Sequence, residues 1–569
     1  MTSLNPSVGD VREHGATHEL TRGTLIAAAL AVCLAQVALA IPAVLNGLFQ
    51  QDLGTSSSQL TWISDAFLVP VTLLELSFGA LGDLFGRKRL LVGGALLLGV
   101  GELVAVLTPG ASASTGTRVL VLWIGQIIAG IGAAAIFPTS LAMVAAGTHT
   151  AGHRARSITI WAAALSAGGF ISPVLGGLVT KIKFGSDPAA SWRWGFIAVL
   201  ILALISAAVS VVLARDSSAP AGRSLDWAGQ VTIAVALFAL LFAVIQGPTS
   251  GWGSGQVIGG FVLAAIFLML FILAEHRSPA PLLRLSLFSN RAFAIASAVT
   301  VVAMFSFLGT AYATSIRLSS IQGFTPLKTS IAFVLLNGMA LAQMPVTFRV
   351  LERYNPKWAL GGGAVLIGAG DLWMSRISAA DLSIAPIIAP LVLIGIGFGF
   401  AVSALTAVAV NTVPNHLEGM ASGSTSMLRD FGFTLGPAVI GAIALSQAAA
   451  QMQSRIADSP ALRKALATFN AAPAHAPAAQ KPALEAAVGA VNSGPLGANA
   501  VPATITLPNG KTAPFNPLKD VAFHALDHAY STGYLVAGIC ALAAAAVTLL
   551  ALGGHGNDPL ITRDSLADE

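Results

Sequence analysis

A chain of 569 residues in which 55% are hydrophobic and 10% charged cannot fold as a water-soluble globule, because it has too little polar surface to cover itself. Its net charge of +5 does not point to nucleic acid, since the bases fall in short loops beside apolar runs. Two cysteines, Cys33 and Cys540, each inside an apolar run, exclude a disulfide framework.

A helix that crosses a bilayer needs about 20 apolar residues. Fourteen such helices are expected, near residues 23–49, 60–84, 89–108, 117–147, 154–181, 192–214, 225–247, 254–275, 291–315, 327–350, 358–376, 383–413, 418–448 and 528–552. No small-residue cleavage site follows a short apolar core after the polar start, so the first helix is expected to be retained. An even number of spans puts both termini on one side. Tails and short loops on that side hold sixteen Lys and Arg against seven opposite, which makes both termini cytosolic and the protein a multi-pass resident of the cell membrane.

The chain repeats itself. The run from Asp83 to Ala95 overlays that from Glu352 to Ala364, and the same offset carries Glu102 onto Asp371. Gly130-Ile-Gly132 parallels Gly395-Ile-Gly397, and Gly168, Ser172, Pro173 and Gly177 parallel Gly432, Gly436, Pro437 and Gly441. Two six-helix bundles account for this spacing, over 23–214 and 291–552, with two helices inserted at 225–275 and tails at 1–22 and 553–569. The second bundle carries an Ala/Pro-rich extracytoplasmic loop at 449–527. There Thr504 to Lys511 reads as a hairpin turning at Asn509-Gly510, and Pro517 as the first residue of a helix. Surface insertions cost little, so a tolerated insertion is favoured over a cap on the outer mouth.

Between the second and third spans, Gly79, Leu81, Asp83, Gly86, Arg87 and Lys88 build a tight basic turn in which Asp83 is positioned to accept from a helix N-terminus. This run resembles the G-x-L-x-D-x-x-G-R-K signature of the major facilitator superfamily, with Leu84 where a base is usual. In the fifth span Gly168, Ser172, Pro173, Gly176 and Gly177 allow close helix contact and a bend. They resemble the antiporter motif of that superfamily, with Ser172 replacing a glycine. Ser191-Trp-Arg-Trp194, Leu225-Asp-Trp-Ala-Gly229 and the run from Pro281 to Arg291 are similar to the fourteen-helix drug:proton antiporters.

Two departures stand out. Where that family carries an acid in the first helix this chain has Cys33, and where it carries an arginine in the fourth it has Gln126. Joint loss of an acid and a base is what a contacting pair predicts, because either charge left alone in the membrane is costly.

The acids within the expected spans are Asp65, Glu75, Glu102, Asp371 and Asp430. Asp65, after Trp62, leads as a titrating carboxylate, with Glu75, Glu102 and Asp371 as further candidates for proton coupling. Cys33, Gln36, Trp62, Gln126, Arg429 and Asp430 are the candidates for lining a cargo cavity; Arg429-Asp430 reads equally as a self-neutralising pair. His524 and His528 flank Asp527, but a solvated helix face is favoured there over a metal site.

The expected fold is an all-α membrane protein of two pseudo-symmetric bundles around a central cavity. The resemblance implies multidrug efflux: export of hydrophobic or amphipathic compounds driven by inward proton flow, by a monomer without cofactor or metal. A lipid or metabolite translocase without proton coupling is the alternative that Cys33 and Gln126 favour, and a membrane sensor or scaffold is a third. Nothing in the sequence suggests an enzyme: it has no phosphate-binding loop and no nucleophile motif.

Overall fold

The structure, a computed structural model, describes residues 20–148, 151–185, 187–218, 226–279, 281–411, 418–478, 480–506 and 512–551. The expected hairpin turn at Asn509-Gly510 and nearly all of both tails lie outside these residues.

The first bundle comprises α1 (Arg22–Ala40), α2 (Pro42–Leu53), α3 (Ser57–Phe85), α4 (Arg87–Val106), α5 (Thr115–Ala146), α6 (Ala151–Val179) and α7 (Arg193–Leu213). Two inserted helices follow, α8 (Trp227–Ser250) and α9 (Gly255–Arg277). The second bundle comprises α10 (Arg291–Ile316), α11 (Pro326–Ala342), α12 (Met344–Arg353), α13 (Pro356–Met374), α14 (Ala385–Asn411) and α15 (Glu418–Asp458), then α19 (Lys519–Ala551). Between α15 and α19 stand α16 (Pro460–Ala471), α17 (Lys481–Asn492), α18 (Pro495–Ala500) and an antiparallel pair, β1 (Thr504–Thr506) with β2 (Thr512–Pro514).

Local chemistry sets the helix starts. Ser56 and Gln59 form a reciprocal capping box before α3, and Thr21, Ser114, Asn290, Thr325 and Asn355 cap α1, α5, α10, α11 and α13. Prolines explain two departures from the expected spans. The first breaks at Ile41, where Pro42 cannot donate, so that one span is built from α1 and α2. The tenth bends by 40° between α11 and α12, just before Pro345.

Among the described residues twelve helical segments are long and apolar enough to cross a membrane, and the bent α11–α12 pair makes a thirteenth. α13, with 19 residues, is long enough but not apolar enough for that measure, yet it packs along α14 and α19 as a full member of its bundle. This arrangement is consistent with fourteen.

The repeat reappears as backbone contacts. A Cβ added to Gly94 would lie 2.8 Å from the Gly132 carbonyl, and one on Gly363 would lie 2.6 Å from that of Gly397. One on Gly168 would lie 2.5 Å from the Cys33 carbonyl, and one on Gly432 would lie 2.5 Å from that of Val301. Each glycine thus permits the same close crossing in its own bundle.

The segment read as an insertion is a folded cap, and its bounds differ from those expected. Helix α15 runs on to Asp458, and α19 starts at Lys519 rather than Pro517, because Asn516 and Pro517 form the turn before it. Met452, Phe469, Val491, Val501 and Leu518 make a small core of its own. Asn516 ties the turn down, donating through Nδ2 to the carbonyls of Ala498 (2.7 Å) and Val501 (3.0 Å). The cap grips both bundles. Gln50 Nε2 on α2 donates to the Leu496 carbonyl at 2.9 Å, and Asn499 Nδ2 donates to the carbonyls of Ser320 (3.0 Å) and Ile321 (3.2 Å) after α10.

Candidate functional site

The two bundles meet along a seam that runs from the capped end toward the basic turn. Nearest the cap, Asn46 Nδ2 donates to Ser315 Oγ at 2.9 Å, and Ser315 in turn donates to the Ala43 carbonyl. Next, the hydroxyls of Thr61 on α3 and Tyr312 on α10 lie 2.7 Å apart. Further along, Thr72 on α3 and Thr434 on α15 are 2.9 Å apart. One turn beyond, Glu75 lies within electrostatic reach of Asp430, which is held by Arg429 through Nε at 2.7 Å and Nη2 at 3.1 Å. Apart from this last group, the described contacts of the seam are hydroxyl, amide and apolar.

The expected acids occupy four separate environments. Asp65 is 0% exposed, both its oxygens lack a hydrogen-bond partner, and it lies within electrostatic reach of Tyr312. Glu102 is equally buried and unpartnered, where α4 packs on α5 and α7. Its repeat counterpart, Asp371, accepts from Thr310 Oγ1 at 2.6 Å through one oxygen, leaving the other without a partner. Glu102 and Asp371 are thus each buried in their own bundle. Asp65 and Glu75 both lie within electrostatic reach of the other bundle, Asp65 of Tyr312 and Glu75 of Asp430.

The cargo candidates do not gather in one place. Cys33 and Gln36 sit on α1 against α6, where the glycine stripe brings the backbones together. Gln126 on α5 is 0% exposed and both its amide atoms are unpartnered; among the described residues no hydrogen bond joins it to Cys33. Trp62 turns away from them and contacts Trp123 at 6.3 Å and Phe238 at 5.9 Å. Phe238 lines an apolar groove of about 520 Å³ with Leu73, Phe242, Gly260 and Leu263, between α8 and α9. Arg429 is committed to Asp430, so the self-neutralising reading of that pair describes its geometry.

Two glycine-rich faces make α6 the helix between bundles. On one, Gly168, Ser172 and Gly176 follow Cys33, Val37 and Ile41 of α1 at four-residue steps, and Ser172 Oγ donates to the Val37 carbonyl at 2.8 Å. On the other, Gly169 and Gly177 abut Asn337 and Leu327 of α11 in the second bundle. Pro173, inside α6, removes the backbone donor between these faces.

At the basic turn, Asp83 is bonded to Arg87 Nε (3.0 Å) and Nη2 (2.7 Å), and Gly79 faces Pro138. The acid that receives the first turn of α4 is a different one: Asp216 Oδ1 accepts from the Lys88 N–H at 3.0 Å. Lys88 Nζ meanwhile donates to the Val211 carbonyl at 2.8 Å. Gly86 adopts φ +101°, and a Cβ there would lie 2.8 Å from Asp216 Oδ2.

Sequence reasoning missed Asp216 and also Asp52. Asp52 accepts from Arg118 Nη2 (2.6 Å), Arg193 Nη1 (3.0 Å) and Trp192 Nε1 (2.7 Å). The only signal available was the Ser-Trp-Arg-Trp motif, two of whose members turn out to hold this carboxylate.

With this geometry in hand, similarity to known proteins becomes informative. The sequence profile of the Major Facilitator Superfamily matches residues 26–437. The chain belongs to the major facilitator superfamily. Within it, this facilitator is 30% identical to the "Multidrug resistance protein Stp" of Mycobacterium tuberculosis over 74% of its length and 75% of that protein's. It is 28% identical to the "Tetracenomycin C resistance and export protein" of Streptomyces glaucescens over 92% and 90% of the two chains. It is 26% identical to the "Puromycin resistance protein pur8" of Streptomyces alboniger over 75% and 82%. Among solved structures, a bacterial homologue of the human lysosomal transporter Spinster superposes with a TM-score of 0.56 at 15% identity, covering 93% of this facilitator and 96% of that chain. A bacterial homologue of the peptide transporters PepT1 and PepT2 does so at 0.56 and 16%, covering 93% and 98%. At such identities the likeness concerns the fold.

Proposed function

We propose that this chain exports small hydrophobic or amphipathic compounds across the cell membrane by alternating access, exchanging them for protons. It acts as a monomeric carrier rather than an enzyme. Both termini are cytosolic, which places the basic turn inside and the cap outside. The observation that carries the reading is the seam: two bundles meet through weak polar contacts, with buried carboxyls beside it that no ion pair among the described residues neutralises. Such groups are suited to changing protonation as access alternates. The export and resistance names of the relatives support the direction and the kind of cargo. Purified protein in liposomes, given a fluorescent lipophilic cation, tests it: an imposed pH gradient is expected to drive uphill transport.

One observation favours a second reading. Cys33 and Gln126 are uncharged where the drug:proton antiporters that the chain resembles carry an ion pair, and the Gln126 amide lacks a partner. Transport that ignores the pH gradient would establish an uncoupled translocase instead.

A further inference from the structure

The inserted helices lie along the α3–α15 side of the seam, and α8 is fastened to a different bundle at each end. Near its start, Gln230 Nε2 donates to the Leu73 carbonyl of α3 at 2.6 Å, and Gln230 Oε1 accepts from Ser77. Just past its end, Trp252 Nε1 donates to Ser446 Oγ of α15 at 3.2 Å. Between these points Leu241 and Ile245 share a buried cluster with Val69 of α3 and Ala438 of α15.

The linker that returns the chain from α9 to α10 is built into the same side. Residues 281–289 hold one 3-10 turn, Leu285–Ser289, yet Leu283 and Leu287 are only 6% and 4% exposed. Leu283 joins a buried cluster with Ile233 of α8, Phe271 of α9 and Met427 of α15, against which Leu76 of α3, Leu282, Leu285 and Phe288 pack. Leu76 and Met427 both lie on the basic-turn side of the Thr72–Thr434 contact, so the linker bridges the two bundles where the seam ends.

Glu275, in the last turn of α9, keeps the linker there. It is 4% exposed, and its Oε2 accepts from the Leu283 N–H at 3.1 Å. Gly229 in the first turn of α8 makes room for this carboxyl, since a Cβ there would lie 2.5 Å from Oε1. A buried N–H without an acceptor is costly, so the carboxyl that satisfies it fixes the residue whose side chain enters the bridging cluster.

We propose that residues 281–289 are a lock on the seam: seated by Glu275, their leucines tie α3 to α15 at the basic-turn end, and they must leave before these helices part there. The inserted pair then has a task of its own, as the frame that holds the lock. The lock concerns contact between the bundles and does not rest on the nature of the cargo or on proton coupling.

Spin labels on opposite bundles test this. Phe85→Cys and Tyr354→Cys, both exposed (59% and 62%), report the separation of the bundles in a Cys33→Ala, Cys540→Ala background in lipid nanodiscs. Leu283→Ala removes burial that the closed form provides, so the parted-to-closed ratio is expected to rise about tenfold. Glu275→Ala is expected to shift the ratio the same way, and Glu275→Gln, whose carbonyl still accepts from the Leu283 N–H, to keep the parent ratio. Leu122→Ala, an equal truncation at a 0% exposed site of α5 within the first bundle, is expected to leave the ratio unchanged. An unchanged ratio in both Leu283→Ala and Glu275→Ala, or the same shift in Leu122→Ala, overturns the proposal. So does a Glu275→Gln ratio equal to that of Glu275→Ala. If Leu283→Ala does not fold, the two Glu275 variants carry the test.

Discussion

Thr61 and Tyr312 place their hydroxyls 2.7 Å apart across the seam, one helical turn from the buried, unpartnered Asp65. Asp65 therefore borders a contact that must break when the bundles separate.

Asp65→Asn is expected to abolish pH-driven uptake into inverted vesicles while leaving downhill exchange of cargo intact. Its thermal stability should equal or exceed that of the parent, since a neutral amide replaces a carboxyl that is 0% exposed and without a partner. Retained gradient-driven transport would assign Asp65 a purely structural role.

Asp52 is the counter-charge of two buried arginines at the capped end. Asp52→Asn leaves both uncompensated, and a loss of about 3–5 kcal/mol is expected. Denaturant or thermal unfolding of the purified protein measures it; a loss below about 1 kcal/mol would show that water already relieves these charges.

Gly86 combines φ +101° with close approach to Asp216. Gly86→Ala should cost about 1–2 kcal/mol from backbone strain alone. Adding Asp216→Ala removes the clash, so the double variant should lose less than the sum of the single ones. Strict additivity in a double-mutant cycle would separate the two positions.

Asn499 ties the cap to the end of α10 by two hydrogen bonds. Asn499→Ala should weaken capped-end closure by about 1 kcal/mol, roughly a fivefold change in population. With Cys540→Ala removing the other thiol, alkylation of Cys33 by a water-soluble reagent applied from the capped side should accelerate to match. An unchanged rate would mean that the cap does not restrain opening.

The fold was legible because its main signals are local or periodic. Apolar runs mark the spans, and an offset repeat marks the bundles, whose Gly94–Gly132 and Gly363–Gly397 crossings are backbone contacts that only a missing side chain permits. What pairs across the chain was not legible. Asp52 meets Trp192 and Arg193 some 140 residues on, and Glu75 comes within electrostatic reach of Asp430 more than 350 residues on, distances over which no periodicity speaks. Within the motif Arg87, one turn along, bonds Asp83, and Asp216, from outside the motif, receives the first turn of α4. The cap was undervalued because its core residues are scattered among alanines and prolines and acquire meaning only when folded together.

Helix α15 has 41 residues and so extends about 62 Å, roughly twice the hydrocarbon thickness of a bilayer. Arg429 and Asp430 lie near one end of it, and Met452, near the other, is already part of the cap's core. The cap is therefore an outboard extension of a moving part, carried on the same helix that lines the seam. An antibody fragment that clamps α16 to the end of α10 would act as a brake on the whole cycle without entering the path that cargo takes.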